Sequence, residues 1–320
     1  MKSILTLTMN PTIDVGASVM NVYPEHKLRC EQVRNDPGGG GINVSRAIKK
    51  LGGFSTAIYI CGGPTGQMLR TLLDAEKLDH VAIATEGWTR QDVTISEMTT
   101  GQQYRFIMPG PTLSDADCRT VLGMLEVLHP FPELVVASGS LPPGVPLDFY
   151  GCIARLVQKK GGTLIVDTSG QALPAAVEAG VFLIKPSLNE LKLFSKGPLE
   201  HEADQEKAAL QIIHNYGCQA VVVSLGPLGV LLAASEGCIR MRSPNVPVRS
   251  KVGAGDSMVA GITLALAREY SLQEAVRFGV AAGAAAVMNP GTELCRREDT
   301  ESLYNRMTKA GVDSPFVAAP

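Results

Sequence analysis

The sequence predicts an α/β protein: a central, mostly parallel sheet with helices on both faces and a small antiparallel lid. Short β-branched runs alternate with longer segments of helical period, the rhythm of parallel strands joined by crossover helices. Most of the runs are almost wholly apolar, as strands covered on both faces are. Residues 10–36 and 88–108 break that rhythm. In the second, Asp92-Val93-Thr94-Ile95-Ser96 and Gln103-Tyr104-Arg105-Phe106-Ile107 alternate polar with apolar, which suits a sheet with one wet face.

In chain order the first strand falls at 3–8 and ends where Asn10, Pro11 and Asp14 interrupt the apolar run. A helical pattern at 43–51 leads to a strand at 55–60, and a second helix at 65–75 precedes the lid segment. Beyond the lid, strands at 134–138, 163–167, 182–185 and 220–224 are separated by helical patterns at 147–159 and 204–216. Two further helices, 256–268 and 272–288, close the pattern. The second contains Ala281-Ala282-Gly283-Ala284-Ala285-Ala286, small residues that suit close packing against another element or a bound group. One domain over 1–308 is expected, with 10–36 and 88–108 as its lid and 309–320 as a loose tail.

Composition removes several classes of function. The chain has 320 residues, 45% of them hydrophobic, with 33 Gly and 1 Trp, so an aliphatic core of good size is available. A net charge of -2 gives no field for nucleic acid or acidic lipid. The 7 Cys are widely spaced with no CxxC pair, and read as reduced thiols. No run of roughly 18 apolar residues occurs, so no membrane span is expected and a cytoplasmic location is.

Two glycine segments carry the chemistry. Gly38-Gly39-Gly40-Gly41-Ile42-Asn43 leads straight into a helical run. With no Cβ at the helix entry, backbone N–H groups can approach a polar or anionic ligand, and the helix dipole favours it. Val252-Gly253-Ala254-Gly255-Asp256 again enters a helix, this time delivering a carboxylate at its first turn. The amides of Gly253, Ala254 and Gly255 would stabilise charge on a transferring phosphoryl group. Asp256 alone would be an ordinary cap. Neither segment has the GxGxxG spacing of a dinucleotide fold, and no GxxxxGK[ST] occurs.

Together, Pro37-Gly38-Gly39-Gly40-Gly41-Ile42-Asn43-Val44-Ser45-Arg46-Ala47 and Val252-Gly253-Ala254-Gly255-Asp256-Ser257 resemble the paired signatures of the ribokinase-like (PfkB) carbohydrate kinases. The resemblance implies ATP as phosphoryl donor, Asp256 as general base and a sugar pocket lined by Asp14, Gly39, Gly40, Asn43 and Ser140. Lys27-Leu28-Arg29-Cys30, Trp88-Thr89-Arg90-Gln91, Gln103-Tyr104-Arg105-Phe106 and Ser138-Gly139-Ser140-Leu141-Pro142-Pro143-Gly144 look most like the minor, ATP-dependent 6-phosphofructokinases within it. That implies fructose 6-phosphate as acceptor, with Lys27, Arg90 and Arg105 on its phosphate. In isolation those three read as solvated surface cations; Arg forks nevertheless suit phosphate.

For the nucleotide, the resemblance implies Lys185, Ser187, Glu190, Ser224, Gly226 and Gly229. Glu190 would order the water shell of Mg²⁺. Ser187 departs from the Asn usual in the family. A K⁺ ion would take oxygens from Ser250, Val252, Ala286, Asn289 and Gly291, and a homodimer through the lid is expected. Asn10-Pro11-Thr12-Ile13-Asp14 is closer to the corresponding segment of 1-phosphofructokinases and tagatose-6-phosphate kinases. These are the alternative activities, and a non-catalytic sugar-phosphate sensor is the alternative from another class.

Overall fold

The structure is a computed structural model that describes residues 1–195 and 197–310. Its first half contains β1 (Ile4–Thr8), β2 (Thr12–Val19), β3 (Glu31–Gly38), α1 (Gly40–Lys50), β4 (Thr56–Cys61), α2 (Gly63–Ala75), β5 (His80–Ala84), β6 (Arg90–Glu97), β7 (Gln103–Phe106) and α3 (Asp115–Val127). Then follow β8 (Leu134–Ser138), α4 (Phe149–Lys159), β9 (Thr163–Asp167), α5 (Ala172–Glu178), β10 (Leu183–Ile184), α6 (Leu188–Leu191) and α7 (Glu202–Tyr216). The chain continues through β11 (Ala220–Ser224), β12 (Val230–Ala234), β13 (Gly237–Met241), α8 (Ala254–Ala267), α9 (Leu272–Val287) and α10 (Arg297–Ala310).

Nine strands form one sheet in the order β13-β12-β11-β10-β9-β8-β1-β4-β5, parallel from β11 to β5 and closed on one edge by the antiparallel β12–β13 hairpin. Alternate residues of β1 feed opposite faces. Leu5 and Leu7 join a core beneath α3, α4, α5 and α7, while Ile4 joins one built with α1, α8, α9 and α10. This is the two-sided burial that the apolar runs predict.

The lid is a separate four-stranded sheet, β3-β2-β6-β7. Its outer pairs, β2–β3 and β6–β7, are antiparallel as expected, while the central pair β2–β6 is parallel. The reason is connectivity: β2 leaves the top of β1 and β6 leaves the segment after β5, so both rise from the body in the same sense.

Helix α1 begins at Gly40, three residues ahead of the predicted start at 43. The glycine run is therefore no loose turn. Gly39 adopts φ 108, and a Cβ there would lie 2.8 Å from Thr8 Cγ2 and 2.9 Å from Pro11 Cα, so only glycine lets the chain pass between β1 and β2. The Ile42 amide then donates to Thr8 Oγ1 at 2.9 Å, fixing the first turn.

The Ala-rich segment of α9 packs into the core on one side and borders a cleft on the other. Ala281, Ala282, Ala285 and Ala286 are buried in the core, while Val280, Gly283, Ala284 and Val287 line a cleft. Residues 309 and 310, expected in the tail, belong to α10; 311–320 lie outside the described residues.

Candidate active site

Both glycine segments open helices at the carboxyl ends of the parallel strands, where open α/β sheets form their crevices. Asp256 stands in the first turn of α8, whose N-cap is Gly253 at φ 74. No side chain caps this end, so the first amides of α8 are left for a ligand.

Asn43 of α1 reaches across the crevice and donates from Nδ2 to Asp256 Oδ2 at 2.9 Å. Its amide is oriented in turn by Arg46, whose Nη1 donates to Asn43 Oδ1 at 3.2 Å and to the Pro37 carbonyl at 2.8 Å. Arg46 is buried and its Nε and Nη2 are held by Glu76. Arg46 and Glu76 were not among the predicted site residues. The available signal was Arg46 three positions after Asn43, one turn along the same helical face.

Burial and the nearby Asp167 push the Asp256 carboxyl up to about 6, against the pull of Asn43, Lys185 and Arg105. Lys185, at the end of β10, pairs with Asp167 of β9 at 3.2 Å. Burial alone would lower the Lys185 ammonium, but Asp167 more than offsets this and holds it above its ordinary range. A Cβ placed on Gly255 would lie 3.5 Å from Lys185 Nζ, so a fixed cation flanks the open amides of α8.

The lid supplies a second set of charges. Asp36, Asp14 and Asp92 stand opposite one another on β3, β2 and β6, and directly opposed residues share a face. The outer two are compensated. Asp36 accepts from Arg34 Nε at 2.8 Å, and Asp92 accepts from the Met108 amide at 2.9 Å and pairs with Arg90 at 3.2 Å. Asp14 lies between them: burial and Asp92 push it up to about 7, with Arg46 and Arg90 pulling it down.

The three lid cations fare differently. Arg105 is exposed and near enough to Asp256 to lower its pKa. Arg90 is engaged by protein: Nη1 donates to the Met108 carbonyl at 3.0 Å and Nη2 to the Asn10 carbonyl at 3.3 Å, which leaves a buried Nε without a partner. Lys27 is not brought to the crevice within one chain. It lines a hollow with Ser18, Tyr23 and Met98 beyond the far end of β2, about 17 Å past Asp14 at the usual rise per strand residue. Ser140 is exposed and accepts from Asn10 Nδ2 at 3.3 Å.

On the opposite side of the α8 start lies a cleft of about 500 Å³. Lys185, Ser224, Gly226 and Gly229, the residues expected to meet the nucleotide, line it together with Ala254 and Gly255. Lys251 and Asn245 also line it and went unpredicted, because the irregular segment between β13 and α8 carries no periodic signal. Ser187 borders the adjoining hollow. It caps α6, with its amide and hydroxyl donating to Glu190 Oε2 at 2.7 and 2.8 Å, so one oxygen of Glu190 is occupied locally.

Two of the segments expected around K⁺ are joined by a hydrogen bond. Ser250 donates its amide to the Val287 carbonyl at 3.3 Å, which sets the segment carrying Val252 beside the end of α9 that carries Ala286, Asn289 and Gly291. The Asn289 amide nitrogen is bound to the Ala285 and Leu294 carbonyls. Oxygen donors of this kind, mostly backbone carbonyls, fit a hard cation of low charge. Among the described residues no group of three or more His, Cys, Asp or Glu could hold a metal, and no helix is long and apolar enough to cross a membrane.

The chain is similar to known proteins along nearly its whole length. The family model of pfkB family carbohydrate kinases matches residues 6–299. The ATP-dependent 6-phosphofructokinase isozyme 2 of Escherichia coli strain K12 is 44% identical over 310 residues, covering 97% of this chain and 100% of that protein. The crystal structure of E. coli phosphofructokinase-2 in complex with potassium superposes with a TM-score of 0.92 at 44% identity, covering 96% of this chain and 100% of the other. That of the same enzyme in complex with fructose-6-phosphate gives a TM-score of 0.90 at 43% identity and the same coverage. With both glycine segments seated at one crevice and the family match running through nearly the whole chain, the protein belongs to the pfkB family of carbohydrate kinases.

Proposed function

We infer that this kinase transfers the terminal phosphoryl group of ATP to the 1-hydroxyl of fructose 6-phosphate, giving fructose 1,6-bisphosphate and ADP. The observation that carries the reading is the placing of Asp256 between two half-sites. Asn43 and the lid acids stand on one side; Lys185, the α8 amides and the cleft stand on the other. Asp256 accepts the hydroxyl proton as the oxygen bonds to the γ-phosphorus and the bond to ADP breaks. The transition state is loose, so positioning matters more than basicity. The amides of Gly253, Ala254 and Gly255 and the Lys185 ammonium face the charge on the transferring group.

Asp14, Gly39, Gly40, Asn43 and Ser140 hold the sugar, and Arg105, with Arg90 Nε, faces its phosphate. ATP occupies the cleft along Lys185, Ser224, Gly226 and Gly229, with Ser187 at its edge. The Glu190 oxygen not engaged by Ser187 would order the water shell of Mg²⁺, which would neutralise charge on the nucleotide phosphates. Residues 1–308 act as one kinase unit with 10–36 and 88–108 as lid. Val33, Phe106 and Ile107 are 62%, 52% and 55% exposed on that lid, apolar side chains that a lid-to-lid homodimer would cover.

Coupled ATP turnover against fructose 6-phosphate, fructose 1-phosphate, tagatose 6-phosphate and fructose tests the reading. The highest kcat/KM is expected with fructose 6-phosphate; another phosphosugar leading would move the activity to the alternative kinases, and no turnover with any would leave a sugar-phosphate sensor. Replacing K⁺ by Na⁺ in the same assay is expected to slow it, and equal rates would remove the cation site.

The raised carboxylates predict an acid limb. Asp14 takes up a proton as pH falls through about 7 and Asp256 through about 6. A proton on either removes an acceptor, so kcat/KM, which reports the free enzyme, falls below pH 7 and more steeply below 6. A profile flat from pH 5.5 to 8, to take a range of about those limits, would show that neither group must be ionised.

A further inference from the structure

The hydroxyl of Thr292 donates to Asp36 Oδ2 at 2.5 Å, although 256 positions separate the two. That is within the range of roughly 2.5–2.7 Å for a hydroxyl bound to an ionised carboxylate. Asp36 is 6% exposed. It stands opposite Asp14 in the β2–β3 ladder and one residue before Pro37, where lid strand β3 turns into the glycine run. It is thus the last lid side chain before the hinge.

Thr292 lies in the connection between α9 and α10, and the same connection supports the start of α8 in two other ways. A Cβ on Gly253 would meet Leu294 Cδ2 at 2.7 Å, so Leu294 packs directly against the cap of α8. The Cys295 amide donates to Oγ of Ser257, the neighbour of Asp256, at 3.3 Å. The connection is itself fixed: Asn289 Nδ2 donates to the Leu294 carbonyl at 3.0 Å, and the Glu293 amide to the Pro290 carbonyl at 3.3 Å. One rigid segment therefore touches both the hinge of the lid and the helix end that carries the base.

We propose that Thr292 is a positioning residue that, through Asp36, sets the lid acid Asp14 at a fixed distance from Asp256 and so aligns the acceptor hydroxyl of the phosphosugar. The inference rests on the kinase reading above. Thr292 touches neither substrate; without its hydroxyl, Asp36 is left with Arg34 alone and the lid loses its side-chain tie to the α9–α10 connection. Affinity and alignment of the phosphosugar then suffer, while the nucleotide cleft, formed on the far side of α8, does not.

Thr292→Val keeps the shape and removes the hydroxyl; Thr292→Ser keeps the hydroxyl. In Thr292→Val, KM for fructose 6-phosphate is expected to rise about tenfold, in line with one charge-assisted hydrogen bond, with KM for ATP within about twofold of wild type. Thr292→Ser is expected to restore the wild-type value. Adding Asp36→Asn to Thr292→Val should add little, because both act through one bond. Hydrogen exchange of the β2 and β3 amides should quicken in Thr292→Val and not in Thr292→Ser. An unchanged KM for the phosphosugar, an equal rise for both substrates or failure of Ser to rescue overturns the assignment. If the wild type turns over no phosphosugar, the exchange measurement still decides: unchanged lid protection removes the bracket, and faster exchange sustains it while the kinase reading falls.

Discussion

Asp256→Asn is expected to lower kcat by about a thousandfold, the middle of the range for loss of a positioned base, while KM for fructose 6-phosphate stays within about threefold. The substituted amide can still accept from Asn43 through its oxygen, so the hydrogen bond across the crevice survives. What disappears is the ability to take the hydroxyl proton. Folding should not suffer, and the sign follows from linkage. The folded pKa of about 6 lies above the ordinary value of 3.8, so protonation of Asp256 favours the folded state. That contribution is complete below the unfolded pKa and is lost as pH rises through 6. At neutral pH the ionised group opposes folding, and a neutral amide should melt at the wild-type temperature or above. A variant that retained more than a tenth of wild-type kcat would show that Asp256 is not the base. A variant that melted early would show that the carboxylate is structural.

The second large effect concerns the ion pair beneath the site. Lys185 and Asp167 face each other at 3.2 Å with side chains only 10% and 15% exposed. Removing one partner leaves a buried charge alone, which costs about 3–5 kcal/mol, whereas replacing both by apolar residues is often neutral. Asp167→Ala should therefore lower the denaturation midpoint strongly, and Asp167→Asn somewhat less. Lys185→Met combined with Asp167→Leu should regain most of the stability. Activity separates from stability in that double variant: without the ammonium beside Gly255, the transferring phosphoryl loses its fixed cation and kcat stays low. Urea midpoints and steady-state kinetics on the three variants make the check. Equal stability of Asp167→Ala and wild type would mean that water reaches the pair. Full activity in the double variant would remove Lys185 from the chemistry.

Legibility in the sequence followed how local each signal is. Strands 134–138, 163–167 and 220–224 were read to the residue, because an apolar β-branched run bounded by turns is a local pattern. The strand His80–Ala84, the helix Asp115–Val127 and the hairpin Val230–Met241 went unread. His80–Ala84 is an edge strand whose only apolar run is the short Val81-Ala82-Ile83-Ala84, of which Ile83 alone is buried. Of the candidate site, the glycine segments declared themselves, since glycines leading into a helix mean open amides whatever surrounds them. The supporting charges did not, because Arg46, Glu76, Asp92 and Asp167 look in sequence like any solvated residue.

The sequence by itself determined the layered fold, the two glycine-led helix starts and the carboxylate that one of them carries, all of which depend on residues within a few positions of each other. Only the tertiary structure decided which charges meet. It set Asn43 against Asp256 across 213 positions, placed Asp36, Asp14 and Asp92 on one face of the lid, closed Arg90 onto backbone carbonyls and left Lys27 far from the crevice. The reason is physical: hydrogen bonding and burial fix local elements, but a carboxylate's pKa and a cation's availability depend on partners that only chain crossing brings within a few ångström.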